Sequence, residues 1–199
     1  MIKYTPPPQT GAARTPTPRT SAKTTAPLYL PFTVIYDRRE RTGGWRFHDV
    51  RGGSEHDFRL LGVSTREEHM VTADYTVDGC ELFVERKSHG DFIGSLGGGH
   101  RRLKAEHERM AEINAAGGKC CLIVESSLDS ICSTLIAEGR KLTPVGVMSK
   151  VAAWPVKYGV PWIFAGDRRT AEVQALRFFI YWWGAMERSS RNETQANGK

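Results

Sequence analysis

Short stretches of apolar, β-branched and aromatic residues along the chain predict five β-strands. The predicted strands cover 32–36, 69–77, 81–85, 120–124 and 161–164. The dipeptide Asp78-Gly79 between the second and third of them is typical of a two-residue hairpin turn. Residues 41–58 are rich in glycine, histidine and charge, and they predict a loop with at most a short strand over 45–47.

Apolar residues at helical spacing predict helices between and after these strands. The predicted helices cover 100–116, 128–137, 143–158 and 167–186. Thr143 before Pro144 is a typical helix start, and Asp167 is a typical N-cap. Strands that alternate with helices in this order predict an α/β fold, in which a mixed central β-sheet is flanked by helices.

Composition divides the chain into three parts. Residues 1–31 contain seven of the ten prolines and four basic residues without an acid, whereas the whole chain has a net charge of +6. A segment of this kind buries too little apolar surface to fold, so we predict a disordered basic tail over 1–31. A phosphate-attracting arm and a solubilising linker are equally compatible with it. A folded domain is predicted over 32–186 and a disordered polar tail over 187–199.

Two features of composition limit the setting of the protein. No stretch of about 18 apolar residues occurs, so we expect no membrane span. The four cysteines form no CxxC pair and have no histidine at zinc spacing, which predicts free thiols in a reducing cytoplasm.

The predicted hairpin brings charged side chains together. A two-residue turn at Asp78-Gly79 pairs Asp74 with Phe83, and it places Asp74 on the same face as Glu85 and Lys87. Two carboxylates that converge repel each other unless a cation lies between them, and Mg²⁺ or Mn²⁺ is the ion that carboxylate oxygens favour. The alternative is a surface strand with an ordinary salt bridge between Glu85 and Lys87.

The segment Val84-Glu85-Arg86-Lys87-Ser88-His89-Gly90-Asp91 resembles the ERK-x-x-x-D motif of XPF-type structure-specific nucleases, a branch of the PD-(D/E)XK restriction-endonuclease-like superfamily. Further similarity to that family lies at 37–40 (DRRE), 73–75 (ADY), 91–100 (DFIGSLGGGH) and 122–125 (LIVE). The arrangement is most similar to small stand-alone bacterial or phage versions of the domain. The resemblance therefore implies a restriction-endonuclease-like core in a bacterial or phage-infected cell.

The same resemblance implies a set of catalytic residues. Asp74 and Glu85 would bind the metal, Glu40 or Asp37 would complete the acidic pocket, and Lys87 would be the lysine of the superfamily motif. Lys87 would orient or deprotonate the attacking water, or neutralise charge on the phosphate in the transition state.

The resemblance also implies supporting residues around that pocket. The expected supporting and DNA-binding residues are Arg39, Arg86, Asp91, His100, Arg101 and Arg102. His100 stands where the family has arginine, and Arg101 or Arg102 would substitute for it. Ala73 replaces the usual glycine, which has little consequence only if the backbone there has a negative φ.

These observations lead to a metal-dependent DNA endonuclease, acting on branched or structured DNA in repair, recombination or phage DNA processing. A catalytically weak nuclease-like domain that binds DNA or serves as a scaffold is the alternative, and an RNA-directed nuclease is a third reading. The aromatic run at 178–183 predicts core packing, and an exposed remainder of it would favour a homodimer or a protein partner.

Overall fold

Seven strands form one mixed β-sheet in the computed structural model, which describes residues 26–41, 43–54 and 57–197. The strands are β1 (Leu28–Asp37), β2 (Arg51–Ser54), β3 (Asp57–Glu68), β4 (Tyr75–Val77), β5 (Leu82–Lys87), β6 (Lys119–Val124) and β7 (Trp162–Phe164). Their order across the sheet is β2-β3-β1-β4-β5-β6-β7. Only β2 and β4 run against the others, so the carboxyl ends of β1, β5 and β6 meet at one edge.

Within the described ranges, five helices cover the two faces of this sheet. They are α1 (His89–Leu96), α2 (His100–Ala115), α3 (Leu128–Ala137), α4 (Pro144–Tyr158) and α5 (Arg168–Asn197), and a short 3-10 helix over Arg38–Arg41 follows β1. Helix α5 packs on one face through Ala175, Leu176 and Phe179, and α1 to α4 cover the other. This arrangement confirms the predicted α/β class with a mixed central sheet.

The helix starts follow the predicted capping residues. Thr143 Oγ1 accepts a hydrogen bond from the Gly146 N–H at 3.2 Å, and Asp167 Oδ1 accepts one from the Thr170 N–H at 2.8 Å. The end of α5 differs from the prediction, because the helix continues past Met186 to Asn197. Polar residues alone do not stop a helix that contains neither proline nor glycine in this stretch. No helix among the described residues is long and apolar enough to cross a membrane.

Strands β2 and β3 were not predicted. They lie within and after the expected loop over 41–58, and β3 mixes its apolar residues with charged ones, so its alternation is weak. The predicted strand over 69–77 is real only at β4. The expected short strand at Trp45 and Phe47 is wrong, since these residues are in non-strand backbone and their rings fill the core beside α5.

The boundaries of the folded part also differ from the prediction. Strand β1 begins at Leu28, before the expected start at Phe32, while the rest of the predicted N-terminal tail, residues 1–25, lies outside the described residues. The cysteines are free, as expected, and Cys120 and Cys121 belong to the cores on opposite faces of β6. In the aromatic run, Phe179 is fully buried and Tyr181 is 70% exposed.

Candidate active site

The β4–β5 hairpin has a different register from the predicted one. Tyr75 pairs with Val84, so the loop between the strands has four residues, 78–81, and the expected pairing of Asp74 with Phe83 is wrong. Side chains alternate along a strand, and a shift by two residues therefore leaves every side chain on its predicted face. Asp74 comes even closer to the motif on β5, because its Oδ2 accepts a hydrogen bond from the Arg86 N–H at 2.9 Å.

A cleft of about 390 Å³ opens at the carboxyl edge of the sheet. Seven of the predicted site residues line this cleft: Glu40, Asp74, Glu85, Arg86, Lys87, Asp91 and Arg102. The other predicted residues, Asp37, Arg39, His100 and Arg101, are not part of the described lining. The structure thus brings the central part of the predicted constellation together.

Asp74 and Glu85 are two carboxylates that lack full hydrogen bonding. Asp74 Oδ1 and Glu85 Oε2 accept no hydrogen bond from any residue that the structure describes. Burial and the nearby Glu85 charge raise the pKa of Asp74 well above its ordinary value, and burial also raises the pKa of Glu85. The charged forms of the two carboxylates are therefore destabilised in this site, and a cation bound beside them would stabilise both.

Lys87 is the cation that the chain itself supplies. Its Nζ lies 2.5 Å from Glu85 Oε1 and 3.0 Å from Glu106 Oε2, and the whole residue is only 5% exposed. Burial by itself lowers the pKa of Lys87, but the two carboxylates outweigh it and raise the pKa above its usual range. Lys87 is thus held as an ammonium ion beside Glu85.

Protein side chains supply only some of the oxygen ligands that a hard divalent cation needs in this cleft. Among the residues that the structure describes, no three or more His, Cys, Asp or Glu side chains form a group that could hold a metal. Asp74 and Glu85 each have one oxygen without a hydrogen bond from the part of the chain that the structure describes. Hard cations such as Mg²⁺ prefer oxygen ligands and retain several waters. Two carboxylates with water and substrate oxygens are therefore a suitable set for such an ion.

Arg86 lies on the opposite face of β5 from Lys87 and is fully engaged. Its Nε and Nη2 donate to the two oxygens of Glu125 at 2.8 and 2.9 Å, and its Nη1 donates to Glu40 Oε2 at 2.8 Å. The guanidinium also lies 6.0 Å from the ring centre of Trp45. These contacts make Arg86 a support that fixes Glu40 at the rim of the cleft.

Asp37 is engaged in the same way at the end of β1. Its Oδ1 accepts hydrogen bonds from the backbone N–H and Nε of Arg39 at 2.8 and 2.7 Å, and its Oδ2 accepts one from the Met70 N–H at 2.6 Å. Burial raises the pKa of Asp37, but these bonds outweigh burial and lower the pKa overall. The buried carboxylate of Asp37 ties β1 to the segment before β4, outside the described lining of the cleft.

The remaining predicted residues take varied places. Asp91 lies in the first turn of α1, where its Oδ2 accepts a hydrogen bond from Ser88 Oγ at 2.6 Å. His100 packs edge-on against Trp154, and Arg101 is exposed. Arg102 points toward the cleft, with a side chain that is 77% exposed and with Nε 3.0 Å from Glu106 Oε1.

Two acids of this site were not predicted to have a role. Glu125 follows β6 and holds Arg86, and Glu106 on α2 holds Lys87 and Arg102. The pattern of α2 contained a signal for Glu106, which lies three residues after Leu103 and four before Met110 on the buried face of the helix. An acid at a core position needs a cationic partner, and the sequence did not reveal which one.

Ala73 adopts a left-handed backbone conformation next to the site. Its φ is 61°, a region that residues with a Cβ rarely occupy, whereas glycine enters it at little cost. The replacement of glycine by alanine at this position therefore introduces backbone strain directly before Asp74. The condition under which the replacement would have little consequence, a negative φ, is not met.

Two solved structures have a fold similar to that of this chain. The chain is similar in structure to XPF from Aeropyrum pernix, with a TM-score of 0.53 and 22% identity over 74% of this chain. It is also similar to XPF from Aeropyrum pernix in complex with DNA, with a TM-score of 0.52 and 21% identity over 81% of this chain. The matches cover 58% and 66% of those two chains.

The sequence comparison is independent of the fold. No curated protein matches the chain closely enough to count as a relative. The ERCC4 domain, however, matches residues 36–175, which include the cleft and all seven of the predicted site residues that line it. With this match over most of its length, the chain belongs to the ERCC4 domain family.

Proposed function

We propose that the chain is a metal-dependent DNA endonuclease that hydrolyses phosphodiester bonds in branched or structured DNA. One observation supports this most directly: Asp74, Glu85 and Lys87 line one cleft in a domain of the ERCC4 family. A structural neighbour that forms a complex with DNA supports DNA as the substrate. Repair, recombination and phage DNA processing, in the cytoplasm, are the settings that we propose for it.

In this proposal, Asp74 and Glu85 hold Mg²⁺ or Mn²⁺, with Glu40 at the rim of the same cleft. Such an ion supplies Lewis-acid charge at the phosphate and promotes ionisation of water. The Lys87 ammonium orients the attacking water and offsets the charge that develops on the phosphate oxygens. Arg102, with its exposed guanidinium at the cleft, contacts the DNA backbone.

The test is cleavage of a panel of labelled DNAs by the full chain. Duplex, single-stranded, flap, fork and four-way junction substrates are incubated with Mg²⁺, with Mn²⁺ or with a chelator, and an RNA panel is run in parallel. We expect cleavage of structured DNA that the chelator abolishes and that Glu85→Gln and Lys87→Met remove. Glu108→Gln is the matched control, because Glu108 pairs with Lys104 on the outer face of α2.

A DNA-binding scaffold remains the second candidate. It is favoured by Lys87, which occupies one oxygen of Glu85. Tight binding of junction DNA without metal-dependent nicking would favour the scaffold and would contradict the endonuclease.

For the protein partner, we propose a homodimer through α5, whose Tyr181 is exposed. Sedimentation velocity measures the oligomeric state, and a monomer would contradict this proposal.

A further inference from the structure

Lys87 has carboxylate partners on two different structural elements. Glu85 is on the same strand, and Glu106 comes from α2 on the other side of the ammonium group. Lys87 and Glu106 are 5% and 8% exposed, so neither group is well solvated by water. A buried ammonium ion of this kind needs a carboxylate beside it, because burial of an unpaired charge costs a large free energy.

These two partners are not equivalent toward a bound cation. Glu85 lines the cleft and has one oxygen that accepts no hydrogen bond within residues 26–41, 43–54 and 57–197. Glu106 is not among the described lining residues, and both of its oxygens are engaged. A divalent cation bound at the open oxygen of Glu85 would share the charge of the carboxylate that Lys87 contacts, whereas Glu106 would keep its charge for Lys87 and Arg102. The 3.0 Å contact of Lys87 with Glu106 is the one that such a cation would leave unchanged.

Glu106 is itself fixed by a second cation. Its Oε1 accepts a hydrogen bond from Arg102 Nε one helical turn earlier, and Arg102 reaches the cleft. Arg102, Glu106 and Lys87 thus form a continuous chain of ion pairs, in which both cations line the cleft. These ion pairs leave Glu106 little freedom to turn away from Lys87.

From this geometry we infer that Glu106 is a positioning residue, which holds the Lys87 ammonium in place when a cation takes up Glu85. The inference rests on the proposed endonuclease function for its catalytic consequence. The contact itself is a property of the chain and is tested without any cleavage. Removal of Glu106 leaves Lys87 with one partner, and that partner is shared with the cation.

The structural test is heteronuclear NMR of lysine ammonium groups in the full chain, with the Lys87 signal assigned by its loss in Lys87→Arg. In the native protein we expect this signal to persist at saturating MgCl₂, because Glu106 protects the ammonium from exchange. In Glu106→Gln the signal should be lost when MgCl₂ is added. The control is Glu108→Gln, which removes an exposed ion pair on the same helix. A Lys87 signal that behaves identically in the native protein and Glu106→Gln overturns the inference.

The kinetic test separates positioning from binding. We expect Glu106→Gln to lower kcat about 10-fold and Glu106→Ala about 100-fold, with KM nearly unchanged, as is typical of residues that orient a catalytic group. An equal loss in Glu108→Gln, or a change confined to KM, contradicts positioning. If no DNA is cleaved at all, the endonuclease proposal fails, and the NMR result still decides whether Glu106 holds Lys87.

Discussion

Arg86 and Glu85 are adjacent on β5, and each belongs to a cluster of charged side chains on one face of the strand. The two clusters differ in how completely their carboxylates are hydrogen-bonded. On one face, Arg86 pairs with Glu40 and with both oxygens of Glu125, so the cluster has a cation at its centre. On the other face, Glu85 lies near Asp74, and each keeps one oxygen without a hydrogen bond from the described residues. The first cluster stabilises the edge of the sheet, while the second is open to an ion from solution.

The largest expected effect is on activity, and it concerns the open cluster. Asp74→Asn should lower the rate of DNA cleavage by about a thousandfold, because the loss of a proposed metal ligand would remove several kcal/mol of transition-state stabilisation. Its thermal unfolding temperature should stay the same or rise, since repulsion with Glu85 is removed. Cleavage at the native rate would contradict the assignment of this cluster as the active site, and calorimetry on the same samples checks the fold.

The compensated cluster should show the opposite behaviour. Arg86→Met leaves Glu40 and Glu125 without their cation, and the free energy of unfolding should fall by about 3–5 kcal/mol. Urea denaturation measures this loss. The matched control is Arg66→Met, which breaks an exposed contact with Glu68 and Asp78 and should leave the midpoint unchanged. Similar midpoints for the two variants would show that Arg86 is not a structural support.

A smaller effect is expected at Ala73, whose conformation directs the chain into Asp74. Ala73→Val should cost about 2 kcal/mol in free energy of unfolding, because a β-branched side chain is poorly tolerated at a φ of 61°. Ala73→Gly should change it by less than about 1 kcal/mol, since relief of strain offsets the lost methyl group and the added chain entropy. The comparison of the two variants by urea denaturation distinguishes backbone strain from side-chain packing.

The smallest expected effect is the pH dependence that Asp74 gives to the free energy of unfolding. In the metal-free protein the raised pKa of Asp74 means that the native state keeps a proton that the unfolded chain has lost, so its contribution to stability falls as pH rises above the ordinary value of 3.8. The stability of Asp74→Asn relative to the native protein should therefore increase from about that pH upward. Urea titrations at several pH values measure it, and saturating MgCl₂ should reduce the difference.

The sequence predicted the central part of the site better than its surroundings. Asp74, Glu85 and Lys87 were placed on one face from strand alternation alone, and the wrong hairpin register did not affect this because the error was an even number of residues. The resemblance to XPF-type nucleases then supplied roles that alternation cannot provide. Local periodicity was sufficient here because the three residues lie within one hairpin.

Residues that depend on distant contacts were not predictable in the same way. Asp37 was expected in the acidic pocket, but the N–H of Met70 and the side chain of Arg39 occupy its oxygens. Glu106 and Glu125 meet β5 from separate elements, and their partners follow from tertiary packing. Strand β3 was not predicted for a related reason. The strand is stabilised by its pairing with β1, and its own sequence lacks a clear alternation of apolar and polar residues.

The length of strand β1 determines how far its first residue lies from the cleft. It runs from Leu28 to Asp37, where the backbone N–H of Asp37 donates to Asp74 O beside the cleft. Ten residues of extended chain span roughly 30 Å, so the start of the strand lies at about that distance from the cleft. The same length corresponds to about nine base pairs of duplex DNA. If the proposed cleavage takes place at the cleft, DNA contacted at that end of β1 would lie nearly one helical turn away from the cut.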